Sequence, residues 1–188
     1  MRKIVLASAS PRRKEILTRL GYAFTVHPAD IDEGVVGGSL TQRVTELAYL
    51  KARHIAPLER DALIIASDTM VAVDGELMGK PASPEDAVRM LERLSGNVNT
   101  VASGLCVWDT ESGKYLRDCA VSYVYFKTLT ADEILSYVAT GEPMGKAGAY
   151  AIQGGAGKFI EKIEGSFDNI VGFPTELFND MAGNFRWQ

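Results

Sequence analysis

Short apolar runs alternate with longer amphipathic stretches along the chain. Residues 3–8 form an apolar, β-branched run typical of a strand, and Pro11 then opens a helix that Gly21 ends. Residues 22–27 predict a second strand, and the charge-free residues 63–67 predict a buried one. Strands and helices alternating in this order are typical of an α/β fold.

From residue 70 onward the pattern predicts a hairpin and three more strands. Asp74 and Gly75 form a two-residue turn signal inside a hairpin over residues 70–78. We expect Asp68 and Thr69 to separate this hairpin from the buried strand before it. The later strands are predicted over residues 98–108 and 115–127, as an antiparallel pair, and within the glycine-rich residues 145–163.

Local capping signals place the other helices. Ser39 with Gln42 predicts a helix to about residue 54, and Thr130 with Glu133 predicts one to residue 139. Further helices are predicted to begin at Ser83-Pro84 and at Pro174. Because the chain has no internal repeat or linker, we predict a single α/β domain over residues 1–188, with a mixed twisted sheet flanked by helices and two lobes.

Composition excludes several classes of protein. Of 188 residues, 46% are hydrophobic and 23% are charged, which suits a folded domain and not a disordered tail or collagen. The longest apolar runs fall far short of the roughly 20 residues of a membrane helix, so we expect no membrane partner. The apolar run after Met1-Arg2-Lys3 ends after four residues, too soon for a signal peptide, so we expect a cytoplasmic protein.

The two cysteines, Cys106 and Cys119, flank a predicted turn around residues 111–113. Two cysteines cannot form the disulfide framework of a secreted protein, and neither has a second Cys or a His at metal-ligand spacing. We expect two buried free thiols.

The charge is distributed unevenly. The formal net charge is -4, and no long basic stripe with interleaved aromatic residues is present, which disfavours a nucleic-acid partner. Residues 1–60 nevertheless carry ten basic and six acidic residues. A local basic region in an acidic protein suits a small polyanion, although solvated helix faces explain part of it.

A candidate anion site lies where the first strand meets the first helix. The segment from Ser8 to Arg13 gathers two hydroxyls, free backbone N–H groups and the guanidiniums of Arg12 and Arg13 at the positive end of a helix. Guanidinium groups bind phosphate oxygens in pairs. The alternative is an ordinary helix start, with Ser10 as the N-cap residue and two surface arginines.

Two carboxylates are candidates for a metal site. Asp68 follows the charge-free strand, and the end of a buried strand is where α/β proteins place ligand-binding groups. Glu33, in an acidic loop, is its candidate partner, since Mg²⁺ bridging phosphates takes one or two protein carboxylates. The alternatives are a turn acid for Asp68 and a solvated loop residue for Glu33.

Two lysines are candidates for phosphate contacts. Lys51 lies near the end of the second predicted helix, and Lys80 follows the hairpin. The alternative interpretation, for each lysine taken alone, is an ordinary solvated charge on the protein surface. The glycines of residues 154–157 suit either a close backbone approach to a ligand or a plain loop, and no Walker or dinucleotide-binding motif is present.

The candidate segments follow one another in a specific order through nearly the whole chain. They are Ser8-Ala9-Ser10-Pro11-Arg12-Arg13, Glu33, Lys51-Ala52, Ser67-Asp68-Thr69, Gly79-Lys80-Pro81, Leu94-Ser95-Gly96, Tyr150-Ala151-Ile152-Gln153-Gly154, Gly165-Ser166 and Asn169-Ile170-Val171-Gly172-Phe173-Pro174. Together they resemble the Maf family of nucleoside triphosphate pyrophosphatases. The resemblance implies cytoplasmic, often dimeric α/β proteins with a cleft between two lobes. Such proteins hydrolyse a nucleoside triphosphate to the monophosphate and diphosphate with a divalent metal, here Mg²⁺ or Mn²⁺.

The resemblance also implies roles for individual residues. Asp68 is the proton acceptor, Glu33 and Asp68 lie at the metal, and Lys80 is counted with them among the catalytic residues. The implied substrate-binding residues are Ser8, Arg12, Arg13, Lys51, Thr69 and Gln153. Attack of water on the α-phosphorus needs a base, a metal and cations around the leaving diphosphate, and this set supplies them.

The residue at position 153 bears on the choice of base. In the resembled family a Gln there is typical of the dTTP/UTP subgroup, and a Glu is typical of the 7-methyl-GTP subgroup. A Gln amide both donates and accepts, which complements N3–H and O4 of uracil or thymine. The chain departs from the family at Asn99, Ser103 and Phe173, where His, Thr and Leu are usual.

Two functional classes therefore remain open. The first is a pyrophosphatase acting on dTTP and UTP, with 7-methyl-GTP as the alternative substrate. The second is a nucleotide-binding regulator of cell division without turnover, since the resembled family has been linked to arrest of division. The presence of Glu33 and Asp68 favours the enzyme.

Overall fold

The structure, a computed structural model, describes residues 2–185. The strands are β1 (Lys3–Leu6), β2 (Thr25–Val26), β3 (Ala62–Val73), β4 (Glu76–Met78), β5 (Val98–Asp109), β6 (Tyr115–Phe126) and β7 (Ile160–Glu164). The helices are α1 (Pro11–Arg19), α2 (Leu40–Ile55), α3 (Pro84–Leu94), α4 (Ala131–Ala139), α5 (Phe167–Val171) and α6 (Thr175–Ala182). Short 3-10 turns, among them Glu33–Val35, lie between these elements.

All seven strands belong to one sheet. Its order is β2-β1-β3-β5-β6-β7, and β4 pairs with β3 off this path. β1 is parallel to β2 and β3, whereas β3 with β4 and β6 with β7 are antiparallel. The predicted α/β class with a mixed sheet is confirmed.

The chain forms two compact units. The first contains the described residues of Met1–Thr69, Ser103–Ala120 and Gly172–Gln188, and the second contains Met70–Ala102 and Val121–Val171. β3, β5 and β6 each contribute residues to both units.

Each unit has its own hydrophobic core. In the first unit, small and β-branched side chains of β1, α2 and β3 pack together, among them Val5, Ala48 and Ile64. In the second unit, α3 and α4 pack with the sheet through residues such as Leu91 and Ile134. Removing this apolar area from water is the main stabilising contribution to each unit.

Helices with local capping signals begin where the sequence predicts. Ser39 and Gln42 form a reciprocal capping box at α2, and Thr130 and Glu133 form one at α4. Pro11 occupies the first turn of α1. Within residues 2–185, none of these helices has the length and apolar character of a membrane span.

The elements without local signals differ from the prediction. β2 is only two residues long, and the short helix α5 was not predicted. Cys106 and Cys119 are free thiols, as expected, but only Cys106 is fully buried. Burial raises the pKa of the Cys106 thiol to about 12.

Candidate active site

Lys51 joins two carboxylates within the first unit. Its Nζ donates to Oδ1 of Asp68 at 2.6 Å and lies 2.6 Å from Oε1 of Glu33. The side chains of Lys51 and Asp68 are 10% and 9% exposed, whereas that of Glu33 is 56% exposed. The default interpretation of Lys51 as a solvated charge is therefore wrong, and neither carboxylate is an isolated surface acid.

The helical repeat places Lys51 on the buried face of α2. The other buried residues of this face are Val44, Leu47, Ala48, Ala52 and Ile55. A charged ammonium on such a face is stable only when it is paired, because burying an unpaired charge is costly. The two carboxylates provide that pairing, so the fold itself brings Glu33 and Asp68 to one cation.

Gly104 allows α2 to lie close to β5. A Cβ atom at this position would lie 2.0 Å from the carbonyl oxygen of Val44 and 2.7 Å from the backbone nitrogen of Thr45. Any side chain at this position would therefore push α2, with Lys51, away from the sheet. Gly104 is not among the predicted site residues, although a glycine inside a strand is a known signal of close backbone approach.

Asp68 and Thr69 lie within β3, which runs without a break from Ala62 to Val73. The prediction that they separate two strands, and that Asp68 follows the end of one, is wrong. Strand continuity is set by pairing with distant parts of the chain, here β1 at one end and β4 at the other. The pairing of Asp68 with Lys51 removes the penalty for a carboxylate inside the strand.

Arg13 is held at three of its nitrogen atoms. Its Nη1 donates to Oγ of Ser8 at 3.0 Å, its Nε donates to the carbonyl of Gly172 at 2.9 Å, and its Nη2 donates to Oγ1 of Thr69 at 3.2 Å. Burial lowers the pKa of Arg13, and the negative charge of Asp68 opposes that effect. The guanidinium stays charged at neutral pH and fixes the strand-to-helix turn next to β3.

Thr69 links this network to β5. Its hydroxyl lies 2.8 Å from Oγ of Ser103 and 3.2 Å from the carbonyl of Gly172. Ser103, one of the departures from the resembled family, is fully buried and supplies a hydroxyl here. Position 103 therefore keeps a hydroxyl group, although Ser stands there in place of the usual Thr.

The start of α1 differs from an ordinary helix cap. The side chain of Ser10 makes no capping hydrogen bond, and Oγ of Ser8 instead accepts from the backbone N–H of Ser10 at 3.2 Å. Arg12 is half-buried and makes no hydrogen bond or ion pair with any described residue. The interpretation as a simple Ser10 cap is wrong, and Arg12 is available for a ligand.

Glu33 and Asp68 fit a divalent cation that shares its coordination with a substrate. Both carboxylates approach one positive charge, Lys51, at the same distance. No cluster of three or more His, Cys, Asp or Glu side chains suited to a metal occurs among residues 2–185. Two carboxylates with remaining ligands from phosphate and water are the donor set typical of Mg²⁺.

Lys80 and Gln153 lie in the second unit. Lys80 is exposed and follows β4, and the carbonyl of the preceding Gly79 accepts from the N–H of Gly148 at 3.0 Å. Gln153 is exposed in the turn before Gly154. Neither side chain makes a hydrogen bond or ion pair with a residue the structure describes.

Asn99 has a structural role in the second unit. It is fully buried, donates to the carbonyl of Val124 at 3.1 Å and accepts from the hydroxyl of Tyr150 at 3.0 Å. All of these contacts are internal to the unit, and they explain how an amide is accommodated at this position.

Comparison with known proteins agrees with these features. A family model described as Maf-like protein matches residues 3–185. A protein of Pelotomaculum thermopropionicum named dTTP/UTP pyrophosphatase is 46% identical over 188 residues, covering 100% of this chain and 98% of that protein. A protein of the same name from Moorella thermoacetica is 48% identical over 186 residues, covering 98% of this chain and 96% of its own length. The solved structure of the Staphylococcus aureus Ham1 protein covers 66% of this chain and 72% of its own, with 16% identity and a TM-score of 0.48.

Proposed function

The chain belongs to the Maf-like protein family, and from that premise we propose that it hydrolyses dTTP and UTP to the nucleoside monophosphate and diphosphate. The observation that carries the proposal is the convergence of Glu33 and Asp68 on Lys51 in the first unit, which also contains the Arg13 network. Full-length relatives at 46% and 48% identity carry the name dTTP/UTP pyrophosphatase.

Asp68 is the proposed general base. Its Oδ1 is bonded to Lys51, whereas its Oδ2 makes no hydrogen bond with any described residue. This second oxygen is therefore free to accept a proton from the water that attacks the α-phosphorus. Lys51 holds the carboxylate in place.

Glu33 and Asp68 are the proposed ligands of Mg²⁺ or Mn²⁺. A bound divalent cation would draw charge from the phosphoryl oxygens. The high exposure of Glu33 leaves room for phosphate oxygens and water on the same cation.

The basic side chains of Arg12 and Lys80 are the proposed ligands of the triphosphate. Arg12 at the start of α1 and Lys80 after β4 make no hydrogen bond or ion pair with the described residues, so their donors are free for phosphate oxygens. Ser8, Arg13 and Thr69 shape the turn that presents the backbone N–H groups of α1.

Gln153 is the proposed residue that recognises the base. Its exposed amide offers one donor and one acceptor to O4 and N3–H of uracil or thymine. We further propose that the protein acts in the cytoplasm as a homodimer, as the family resemblance implies.

A panel of nucleoside triphosphates with Mg²⁺ or Mn²⁺ tests the proposal, with products separated by chromatography. We expect monophosphate and diphosphate from dTTP and UTP. Hydrolysis of 7-methyl-GTP in preference would keep the reaction and refute the role of Gln153. Binding without turnover of any nucleotide would instead support a regulator.

A further inference from the structure

Two side chains of the second unit hold the backbone on either side of Gln153. The hydroxyl of Tyr137, on α4, accepts from the N–H of Ala151 at 3.2 Å. The carboxylate of Glu142 accepts from the N–H of Gly155 at 3.0 Å, through both Oε1 and Oε2. Gln153 lies midway between these two anchored amides.

The two anchors are bonded to each other. The hydroxyl of Tyr137 donates to Oε1 of Glu142 at 3.0 Å. Burial raises the pKa of Tyr137, so this hydroxyl stays protonated and remains a donor at neutral pH. Tyr137 is 3% exposed, and its ring packs edge-on against Phe159 at a centroid distance of 5.4 Å. The anchor of residue 151 is therefore itself fixed in the core.

Gly154 is part of the same arrangement. A Cβ atom at this position would lie 2.1 Å from Oε1 and 2.6 Å from Cδ of Glu142. Its backbone is extended, with φ -113° and ψ -150°, so backbone conformation does not require glycine. A side chain at residue 154, next to Gln153, would therefore have to displace the Glu142 carboxylate from the N–H of Gly155.

We propose that Tyr137 and Glu142 are positioning residues that set the selectivity of the enzyme for uracil and thymine through the backbone of Gln153. This inference rests on the proposed function, since it assumes that the Gln153 amide meets the base. The side chain of Gln153 has no partner among the described residues, so its reach depends on where the backbone holds it. Loosening either anchor removes the amide from UTP, whereas CTP presents N3 as an acceptor and its 4-amino group as a donor, the reverse of the pattern for which the anchored backbone holds the amide.

The test compares kcat and KM for UTP and CTP in the wild type, Tyr137→Phe and Glu142→Ala. We expect KM for UTP to rise roughly three- to tenfold, as for loss of a hydrogen bond between neutral groups, with kcat changed less than about twofold. The ratio of kcat/KM for UTP over CTP should fall by a similar factor. An unchanged ratio in both variants would overturn the proposal.

A second tyrosine–glutamate pair of the same unit provides matched controls. The hydroxyl of Tyr125 donates to Oε2 of Glu164 at 3.2 Å, and among residues 2–185 this pair accepts from no loop amide. Tyr125→Phe and Glu164→Ala should leave the UTP over CTP ratio unchanged. A fall equal to that of the Tyr137 and Glu142 variants would assign the effect to general loss of stability and contradict the proposal.

Gly154→Ala tests the contact directly. It should lower kcat/KM for UTP in the wild-type background, because the new Cβ displaces the Glu142 carboxylate from the N–H of Gly155, and much less in the Glu142→Ala background, where that carboxylate is absent. An equal fall in kcat/KM for UTP in both backgrounds would show that the contact with Glu142 is not the reason why residue 154 is a glycine.

Amide hydrogen exchange in the ligand-free protein separates this inference from the proposed function. Exchange at Ala151 and Gly155 should be about tenfold faster in Glu142→Ala and Tyr137→Phe than in the wild type. If wild-type protein hydrolyses no UTP, the proposed function fails, and the exchange rates still decide whether the anchors hold the loop. Faster exchange with unchanged selectivity in an active enzyme would refute the positioning role alone.

Discussion

In the first unit, Lys51 and Asp68 are buried and bonded to each other, whereas in the second unit the side chains of Lys80 and Gln153 are exposed and make no hydrogen bond or ion pair with the described residues. The first pair is in place before any ligand arrives. The second pair keeps its side chains free, and only its backbone is held, at Gly79 and beside Gln153. Charged groups that act on the reacting phosphorus gain most from fixed positions, because their reorganisation is then complete before the reaction.

Substitutions in the two units should also differ in their effects on stability and on substrate affinity. Removing Lys51 or Asp68 takes a bonded partner from a buried charge, so stability and activity should fall together. Removing the exposed side chain of Lys80 or Gln153 breaks no bond with a described residue, so only substrate affinity should fall.

Asp68→Asn should have the largest effect on activity. The amide cannot accept the proton of the attacking water, and general bases contribute about 10²- to 10⁴-fold to rate, so we expect kcat to fall by that factor. Thermal unfolding measures whether the variant is folded, and Asp132→Asn on the exposed start of α4 serves as the control. A kcat within about twofold of the wild type would exclude Asp68 as the base.

Lys51→Met breaks the first pair directly. It leaves Asp68 buried without the cation that is bonded to it, so the free energy of unfolding should fall by about 3–5 kcal/mol in urea titrations. Lys80→Met is the matched control, and we expect it to raise KM with unchanged stability. The double variant Lys51→Met with Asp68→Asn should recover part of the lost stability and none of the activity. Equal stabilities of the two lysine variants would contradict the proposed difference between the buried, bonded Lys51 and the exposed Lys80.

The helices were the most predictable part of the fold. The capping boxes at Ser39 and Thr130 and the proline at the start of α1 are local signals, because the interacting groups lie within a few residues. The path of β3 through Asp68 was not predictable in this way. Its continuity depends on partners such as β1 and β4, whose distance in sequence hides the pairing.

The candidate site was predictable in its residues but not in its contacts. The order of motifs identified Glu33, Lys51 and Asp68, yet the burial of Lys51 follows only from the packing of α2. The roles of Tyr137 and Glu142 were missed, because their contacts with the Gln153 loop are made by backbone N–H groups, which leave no trace in residue type.

Gly104→Ala tests whether the position of α2 matters for the first unit. Because the new Cβ would overlap the carbonyl of Val44, we expect the free energy of unfolding to fall by about 3 kcal/mol. Activity should fall with it, since Lys51 moves with the helix. Gly37→Ala, where a Cβ meets nothing within 4 Å, is the control and should be near neutral. Wild-type stability of Gly104→Ala would show that α2 is free to shift.

The smallest expected effect is on stability. It comes from an ion pair of the first unit that lies outside the candidate active site. Arg2 donates to Oδ1 of Asp109 at 2.5 Å, and this bond, with a further one from Ser112, holds the pKa of Asp109 well below its ordinary 3.8. A carboxyl whose pKa is lowered in the folded state contributes stability above its unfolded pKa and loses it as pH falls further. At neutral pH, Asp109→Asn should therefore cost about 1.5–3 kcal/mol in the free energy of unfolding.

Urea titrations between neutral pH and about pH 2 measure this effect. The difference between wild type and Asp109→Asn should narrow once the pH falls below 3.8. A difference that stays constant over this range would show that the pairing does not lower the pKa. Activity at neutral pH should be unchanged, in contrast to the Lys51 variant.

The most direct measurement uses water labelled with ¹⁸O in a single turnover of UTP. Attack on the α-phosphorus, with Asp68 as the base, predicts that the label enters the nucleoside monophosphate and that the diphosphate stays unlabelled. Label found in the diphosphate by mass spectrometry would place the attack on the β-phosphorus and contradict the mechanism.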